Sequence, residues 1–247
     1  MKKIALFLLG FCLILSSCKN RNRYEINYDG PATIDIVLLE ELGLNVTSDY
    51  PLTYYSDNEL VVTVSENGVI LGKNIGEANV VISNAESTLT LKVVVSLFEE
   101  PTTSFGLSPK SIENIYGAPN YNFGDTIYRY GGGNDWYSYA VWRMDFFFKY
   151  NSYYECDLYI NSDLDIRIDQ FLSDNYHYYQ TITDTIAEEI VTLELFLNDS
   201  DVEDASVLVG KQENAGYYKD ICLFYVPFDY AEKSITDRIG SRKRKLK

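Results

Sequence analysis

YYSDNELVVTVSENGVILGKNIGEANVVIS, residues 54–83, is the stretch that decides the fold of the N-terminal part of this chain. Its short apolar runs alternate with Asn, Gly and Ser, and Asn67-Gly68 separates two of them. Asn-Gly between apolar runs predicts a tight hairpin, because both residues tolerate the positive φ angles of such a turn. Ala78, Val80 and Ile82 are predicted to share one face of a strand. With TIDIVLL before the stretch and TLTLKVVVSL after it, this pattern predicts a β-sandwich.

The same stretch resembles the bacterial immunoglobulin-like domain of group 2. The residues that carry the resemblance are Tyr54, Ser56, Asn58, Val62-Thr63-Val64-Ser65, Asn67-Gly68, Val69, Gly72, Gly76 and Ala78. Tyr54 stands where that family usually has Trp, a difference that concerns core packing. The resemblance implies a spacer, an adhesive module or a carbohydrate-associated module rather than a catalyst.

A second module begins with GLSPKSIENIYGAPN, residues 106–120. Ser108 is predicted to cap a helix that has Pro109 at its first position, and Gly117 is predicted to end it. This segment resembles the opening helix of small periplasmic lipoprotein domains, both those like the β-lactamase-inhibitor protein and those of the outer-membrane-assembly type. That resemblance implies antiparallel strands after the helix.

Several later segments read as strands of that sheet. They are TIYRYG (126–131), YAVWRMDFFFKY (139–150), YYECDLYI (153–160), IVTLELFLN (190–198) and KDICLFYVPF (219–228). LDIRIDQFLSDNYHYY (164–179) alternates at its start and then has apolar residues at helical spacing, so we predict a strand followed by a helix. The predicted fold class is therefore mostly β, an N-terminal Ig-like β-sandwich followed by a C-terminal α+β domain with an antiparallel sheet.

The N-terminus, MKKIALFLLGFCLILSSCKN, has the pattern of a secretory signal peptide. Its apolar run is shorter than the about 20 residues of a membrane-spanning helix. Leu15-Ser16-Ser17-Cys18 resembles the lipobox of bacterial lipoproteins, which implies acylation of Cys18 and attachment to a membrane by acyl chains. The alternative is an ordinary signal peptide with a chance cysteine. Lys19 after the cysteine favours the outer membrane, with the protein facing the periplasm or the cell surface.

These features predict six segments. They are a lipoprotein signal peptide (1–17), a tether (18–23), an Ig-like domain (24–97), a linker (98–104), an α+β domain (105–232) and a basic disordered tail (233–247). The chain has 21 Lys and Arg against 36 Asp and Glu. Such acidity argues against nucleic-acid binding, because phosphate contacts need a basic surface. The tail has two interpretations, a site for anionic lipid or an acidic partner, or a solvated end.

Two cysteines, Cys156 and Cys222, lie beyond the signal peptide and the proposed anchor. In an oxidising compartment they are predicted to form a disulfide that stabilises the fold by about 2–4 kcal/mol. The alternative is a pair of buried free thiols on neighbouring strands.

Signals for catalysis are weak in this sequence. His177 is the only histidine, which argues against a Ser–His–Asp triad or a multi-histidine zinc site. The turn NDSDVED (198–204) lacks the Gly and the distal Glu of a calcium loop. Asp163, Asp165 and Asp169 have two interpretations, glycosidase acids or solvated carboxylates. The sequence therefore predicts no catalytic residue, metal or cofactor.

The region around the glycines at 131–133 is rich in aromatic residues, which stack on sugar rings or anchor protein interfaces. Trp136 and Tyr137 are the predicted ligand-binding residues of this loop. The expected function is a non-enzymatic binding lipoprotein of the cell envelope, with an envelope protein or a glycan as its partner. The alternatives are a carbohydrate-active enzyme, an enzyme inhibitor or a structural envelope component.

Overall fold

A computed structural model of the protein describes residues 24–132, 137–186, 189–215, 220–231 and 233–236. Cys18, the predicted signal peptide and most of the predicted tail lie outside these ranges. The fold is mostly β with antiparallel sheets, as the sequence predicts. Within the described residues, no helix is both long enough and apolar enough to cross a membrane.

The first seven strands belong to a two-sheet sandwich. They are β1 (Thr33–Val37), β2 (Glu41–Gly43), β3 (Thr53–Ser56), β4 (Val62–Val64), β5 (Val69–Gly72), β6 (Gly76–Ser83) and β7 (Thr88–Ser96). One sheet has the order β1-β7-β6-β3, in which β1 and β7 run parallel, and the other has the order β2-β5-β4. A single apolar core joins them, with Val80 and Val93 from one sheet and Val62 and Ile70 from the other.

The decisive stretch folds as predicted. β4 and β5 form a hairpin whose turn is closed by the Gly68 N–H, which donates to the Ser65 carbonyl oxygen at 3.0 Å. Of the Asn-Gly pair, Gly68 alone takes a positive φ, 73°, and the ring of Tyr54 packs where a side chain at 68 would have to lie. Ala78, Val80 and Ile82 are all buried on the predicted shared face of β6.

The described residues that follow the sandwich fold mainly into one antiparallel sheet, on which the helices α1 and α2 pack. Its elements are α1 (Pro109–Tyr116), β8 (Tyr121–Asn122), β9 (Ile127–Gly131), β10 (Val141–Lys149), β11 (Ser152–Ile160), α2 (Asp165–Asn175), β12 (His177–Ile186), β13 (Glu189–Leu197), β14 (Val207–Ala215) and β15 (Asp220–Pro227). The strand order is β12-β13-β14-β15-β11-β10-β9-β8. Ile112 of α1 and Ile168 and Leu172 of α2 belong to the core on one face of this sheet.

The predicted cap of α1 is confirmed. The Ser108 hydroxyl oxygen accepts a hydrogen bond from the Ser111 N–H at 3.1 Å, and Pro109 is at the first helical position. Gly117 ends the helix with φ 80°, a conformation that favours glycine.

The predicted order of strand and helix in residues 164–179 is wrong. The chain forms α2 first and β12 afterwards. Ile166 is 85% exposed, whereas Ile168 and Leu172 are fully buried, so the apolar spacing that packs on the sheet is four residues and not two. Tyr176 then takes an extended conformation and leads into the strand.

The predicted disulfide between Cys156 and Cys222 is also wrong, because both are buried free thiols. β11 and β15 are neighbours, but Cys156 lies opposite Tyr225 and Cys222 lies opposite Tyr159. Cys156 faces the core under the helices, while Cys222 alternates with Ile221 and Leu223 and points to the other face. The thiols are therefore separated both along the strands and across the sheet.

The predicted disordered tail begins too early. Residues 233–236 are helical. Ser234 is buried and its hydroxyl donates to Glu155 Oε2 at 3.0 Å, and Ile235 packs against the apolar cluster on the second face of the sheet. Residues 237–247 lie outside the described ranges.

The predicted linker, residues 98–104, has no helix or strand but packs closely against the eight-stranded sheet. The Phe98 ring lies 4.8 Å from that of Phe171, and the Tyr153 hydroxyl donates to the Thr102 carbonyl oxygen at 2.9 Å. Leu97 and Phe98 are buried in the core of the sheet beneath the helices. This segment therefore fixes the end of β7 against α2.

Candidate functional site

The predicted aromatic site is not supported at Tyr137, and Trp136 lies outside the described residues. Tyr137 is half-buried against the core of the eight-stranded sheet, and its hydroxyl donates to Glu99 Oε2 at 3.4 Å. Burial, followed by the nearby charge of Glu99, raises the pKa of Tyr137 well above the usual value. Its ring is committed to internal packing, which does not fit the predicted role of a stacking surface for a ligand.

The neighbouring aromatic residues are also largely engaged inside the protein. Tyr130 is buried, and its hydroxyl donates to the Gly117 carbonyl oxygen at 3.0 Å. Trp142 lies beside Tyr159, with 5.9 Å between the ring centroids, and Tyr139 is exposed. The abundance of aromatic residues in this region therefore serves mainly the core.

A buried ion network occupies the sheet face opposite the helices. Asp145 is 2% exposed and binds Arg129 through two hydrogen bonds of 2.7 and 2.8 Å. Arg143 Nε lies 3.3 Å from the same carboxylate, and its guanidinium stacks 3.5 Å from the Tyr159 ring centroid. The hydrogen bond from Arg129 to Asp145 outweighs burial and raises the pKa of Arg129. The charges of this network are paired within the chain, which is the pattern of a structural element.

The predicted carboxylates of α2 belong to a second closed network, the Lys211 cluster. It comprises Lys211 and the carboxylates of Asp165, Asp169, Glu194 and Glu213, whose distances to Lys211 Nζ are 2.7, 2.6, 3.7 and 3.6 Å. The Lys211 side chain is 2% exposed. Burial lowers the pKa of Lys211, but the hydrogen bonds and charges of Asp165 and Asp169 outweigh that effect and raise it. Asp165 and Asp169 thus act as counter-ions of a buried ammonium group.

A cleft of about 1070 Å³ lies where the sandwich meets α2. The ends of β1, β6 and β7 form one wall, α2 forms the other, and residues 97–100 connect the two. The lining residues are Asp35, Ile36, Val37, Glu40, Ile75, Gly76, Glu77, Val94, Val95, Ser96, Leu97, Phe98, Glu99, Glu100, Ile166, Arg167, Gln170, Phe171, Asp174 and Asn175. We refer to this site as the cleft.

Apolar side chains contribute much of the cleft surface. Phe171 of α2 is partly exposed there, whereas Phe98, Ile36 and Val95 lie behind the cleft surface and are almost fully buried. Ile75 and Ile166 stand on opposite walls and are 45% and 85% exposed. The two walls therefore offer apolar surface to whatever enters the cleft.

The charged residues of the cleft are strongly unbalanced. Six lining residues carry carboxylates, namely Asp35, Glu40, Glu77, Glu99, Glu100 and Asp174, whereas Arg167 is the one lining residue with a cationic side chain. Glu77 pairs with Lys92 at 2.7 Å. Glu40 accepts from the Val37 N–H at 2.8 Å and Asp174 from Gln170 Nε2 at 2.7 Å, so neutral donors rather than cations satisfy these two.

Glu100 lines the cleft and is partly buried there. The Tyr176 hydroxyl donates to Glu100 Oε2, and the Tyr225 hydroxyl is its second neighbour. Burial is the dominant influence and raises the pKa of Glu100, while the two tyrosine hydroxyls act in the opposite direction. Burial and the charge of Glu100 in turn raise the pKa of Tyr176. The carboxyl group is thus held in place by neutral donors.

The other predicted candidates have local roles. The Asp199 and Asp201 carboxylates accept from the N–H groups of Asp201 and Glu203, both at 3.0 Å, and so shape their own turn. Among the described residues, no group of three or more His, Cys, Asp or Glu side chains is arranged to hold a metal ion.

Sequence reasoning missed the cleft because its acidic residues come from separate parts of the chain. Glu99 and Glu100 lie in the segment that we predicted to be a linker. The local signal for a structured role was weak: two glutamates between Phe98 and Pro101. No protein-family model matches the chain, and no curated protein sequence matches it.

Proposed function

We propose that this protein is a membrane-anchored, non-enzymatic binding protein of the bacterial cell envelope, and that the cleft is its ligand-binding site. The observation that carries the proposal is the cleft itself, a concave site of about 1070 Å³ with apolar walls and several polar groups. The sandwich acts as a spacer between the anchor and the recognition surface. Asp165 and Asp169 are engaged with Lys211, so the cleft is the better-supported site.

The anchor of this proposal is Cys18, which follows Leu15-Ser16-Ser17. Acyl chains contribute about 0.8 kcal/mol of membrane affinity per buried CH₂ group, so two or three chains hold a protein firmly. Metabolic labelling with a palmitate analogue tests this part. Full-length protein is expected to incorporate the label and to sediment with membranes, and Cys18→Ala is expected to do neither. Equal labelling of the two proteins would contradict the anchor.

The binding site is tested by filling the cleft. Full-length protein in detergent would be assayed against a panel of purified envelope proteins, synthetic peptides, glycans and lipids. Ile166→Trp places a bulky ring in the cleft from a position that is 85% exposed, so the fold is expected to tolerate it. Leu60→Trp is the matched control, because Leu60 is also an exposed aliphatic residue but does not line the cleft.

We expect at least one class in the panel to bind the wild type and Leu60→Trp, and to lose about tenfold in affinity for Ile166→Trp, which corresponds to about 1.4 kcal/mol. If no class binds the wild type, or if Ile166→Trp binds as the wild type does, the cleft is not the binding site.

A further inference from the structure

We infer that the ligand of the cleft is a cationic, partly apolar peptide segment, such as a basic stretch of another envelope protein. This inference rests on the proposed function and specifies the class of ligand. It follows from the charge, the apolar surface and the size of the cleft, which are taken in turn below.

The charge of the cleft favours a cation. Carboxylates reach it from both walls and from the connecting segment: Asp35 and Glu40 from the sandwich, Glu99 from residues 97–100, and Asp174 from α2. Carboxylates that face one space from several directions reinforce one another's field, and the low-dielectric walls focus it. The chain as a whole is also acidic, with a formal net charge of −15, so an anionic ligand would be repelled at long range as well.

The partners of these carboxylates leave the charge of the cleft largely uncompensated. Lys92 neutralises Glu77, and Arg167 contributes one guanidinium group. The donors to three of the other carboxylates are neutral. Glu40 accepts from a backbone N–H, Glu99 accepts from a tyrosine hydroxyl, and Asp174 accepts from a glutamine amide. Neutral donors orient a carboxylate without cancelling its charge, so these groups remain attractive to an incoming ammonium or guanidinium group.

The apolar walls exclude a purely polar cation as the best ligand. Ile75 and Ile166 face the cleft from opposite sides, and the partly exposed ring of Phe171 also lines it. Covering this surface contributes about 25 cal/mol per Å² of apolar area, which an inorganic ion or a short polyamine cannot gain. A ligand that fits both features carries aliphatic or aromatic groups beside its positive charges.

The size of the cleft favours a peptide segment over a small molecule. At about 1070 Å³ it slightly exceeds the 300–1,000 Å³ typical of small-molecule pockets. A peptide with alternating basic and aliphatic residues can place ammonium groups at the acidic positions and side chains against Ile75 and Ile166 at the same time.

Fluorescence anisotropy with three synthetic peptides of equal length tests this inference on the full-length protein in detergent. The first alternates Lys and Leu, the second Glu and Leu, and the third Lys and Ser. We expect the Lys–Leu peptide to bind at least tenfold more tightly than either of the others. Because the attraction is electrostatic, its affinity is expected to fall as salt is raised.

Two triple variants separate the cleft from the general acidity of the protein. The first is Glu40→Gln, Glu99→Gln and Asp174→Asn, whose amide oxygens can accept the same hydrogen bonds. The second is Glu25→Gln, Glu66→Gln and Glu203→Gln, which removes the same charge at exposed positions outside the cleft. Because each exposed charge pair contributes only modestly, the first is expected to weaken Lys–Leu binding about tenfold, and the second less than twofold.

Equal weakening by the two triple variants would overturn the inference, as would binding of the Glu–Leu or Lys–Ser peptide as tightly as the Lys–Leu peptide. The failure of the proposed function is distinguishable. If another class of ligand binds and Ile166→Trp abolishes its binding, the cleft is the site and only the ligand class is wrong. If Ile166→Trp affects no ligand, the proposed function itself fails.

Discussion

The Lys211 cluster and the cleft are two acidic regions at α2 that differ in what balances their charge. In the cluster, four carboxylates surround an ammonium group that is almost completely buried. In the cleft, six lining carboxylates are accompanied by one lining guanidinium group and by Lys92, which pairs with Glu77. Both regions use the same helix, because Asp165 and Asp169 face Lys211 while Asp174 faces the cleft.

This difference separates carboxylates that stabilise the fold from carboxylates that are available to a partner. A buried ammonium group needs its counter-ions, since an unpaired buried charge is costly. An exposed carboxylate bonded by neutral donors contributes little to stability, and its charge remains accessible from solution. The two regions should therefore respond differently to the same kind of substitution.

Replacement of Lys211 with Met is expected to have the largest effect, a loss of about 3 kcal/mol from the free energy of unfolding at pH 7. The methionine side chain has a similar volume, but the four carboxylates would then repel one another without the ammonium group between them. Urea denaturation measures the loss. Lys92→Met is the control, because Lys92 also pairs with a carboxylate but is 45% exposed, and we expect it to lose about 0.5 kcal/mol or less. Equal losses would contradict the distinction.

Removal of carboxylates should show the same contrast on a smaller scale. Asp165→Asn with Asp169→Asn takes two of the nearest acceptors from a buried ammonium group, so we expect a loss of about 2 kcal/mol. Glu40→Gln with Asp174→Asn makes the same change in charge in the cleft and should alter stability by no more than about 0.5 kcal/mol. Both double variants would be compared by urea denaturation. A similar loss in the two would mean that the cleft carboxylates are structural.

Glu100 provides a pH-dependent test in the cleft. Burial raises the pKa of its carboxyl group, so the folded protein holds this proton more tightly than the unfolded chain does. The wild type should therefore lose stability relative to Glu100→Gln as the pH rises from the usual glutamate range through the raised pKa, and the difference should then stay constant. Thermal melting of both proteins at a series of pH values measures it.

Tyr176→Phe extends the pH test. It removes a hydroxyl that lowers the pKa of Glu100, so the pH-dependent loss of stability should move to higher pH. A difference between the wild type and Glu100→Gln that is independent of pH would contradict the assigned effect of burial.

The smallest expected effect is that of a reducing agent, which should leave the stability of the protein unchanged. β11 and β15 are joined by hydrogen bonds and packing, and Cys156 and Cys222 are free thiols. The melting temperature should be the same with and without reductant. Cys156 and Cys222 should both react with a thiol reagent in denatured, unreduced protein, and a change in melting temperature would contradict the free thiols.

The sequence predicted those features that depend on neighbouring residues. Ser108, Pro109 and Gly117 specify α1, and Gly68 specifies the hairpin, because each acts on the backbone within a few positions. The order of α2 and β12 was mispredicted because the alternation of Leu164, Ile166 and Ile168 fits a strand as well as a helix. The burial of Ile168 together with Leu172, four residues later, is what shows that the segment is helical.

Features that depend on distant residues were out of reach of the sequence. The separation of Cys156 from Cys222 is set by the register between β11 and β15. The cleft combines Asp35, Glu99 and Asp174, which are brought together only when residues 97–100 pack against α2. No local sequence pattern indicates which of the many carboxylates of an acidic chain will line the same cleft.

The parallel pairing of β1 with β7 gives the sandwich a mechanical property. A pull on the N-terminal end of β1 against a pull on the C-terminal end of β7 makes the two strands slide past each other. The hydrogen bonds along the register from Thr33–Lys92 to Val37–Ser96 then carry the load together, whereas an antiparallel pair pulled from one end opens one bond at a time. The sandwich is thus arranged to withstand tension between the segment that precedes β1 and the eight-stranded sheet.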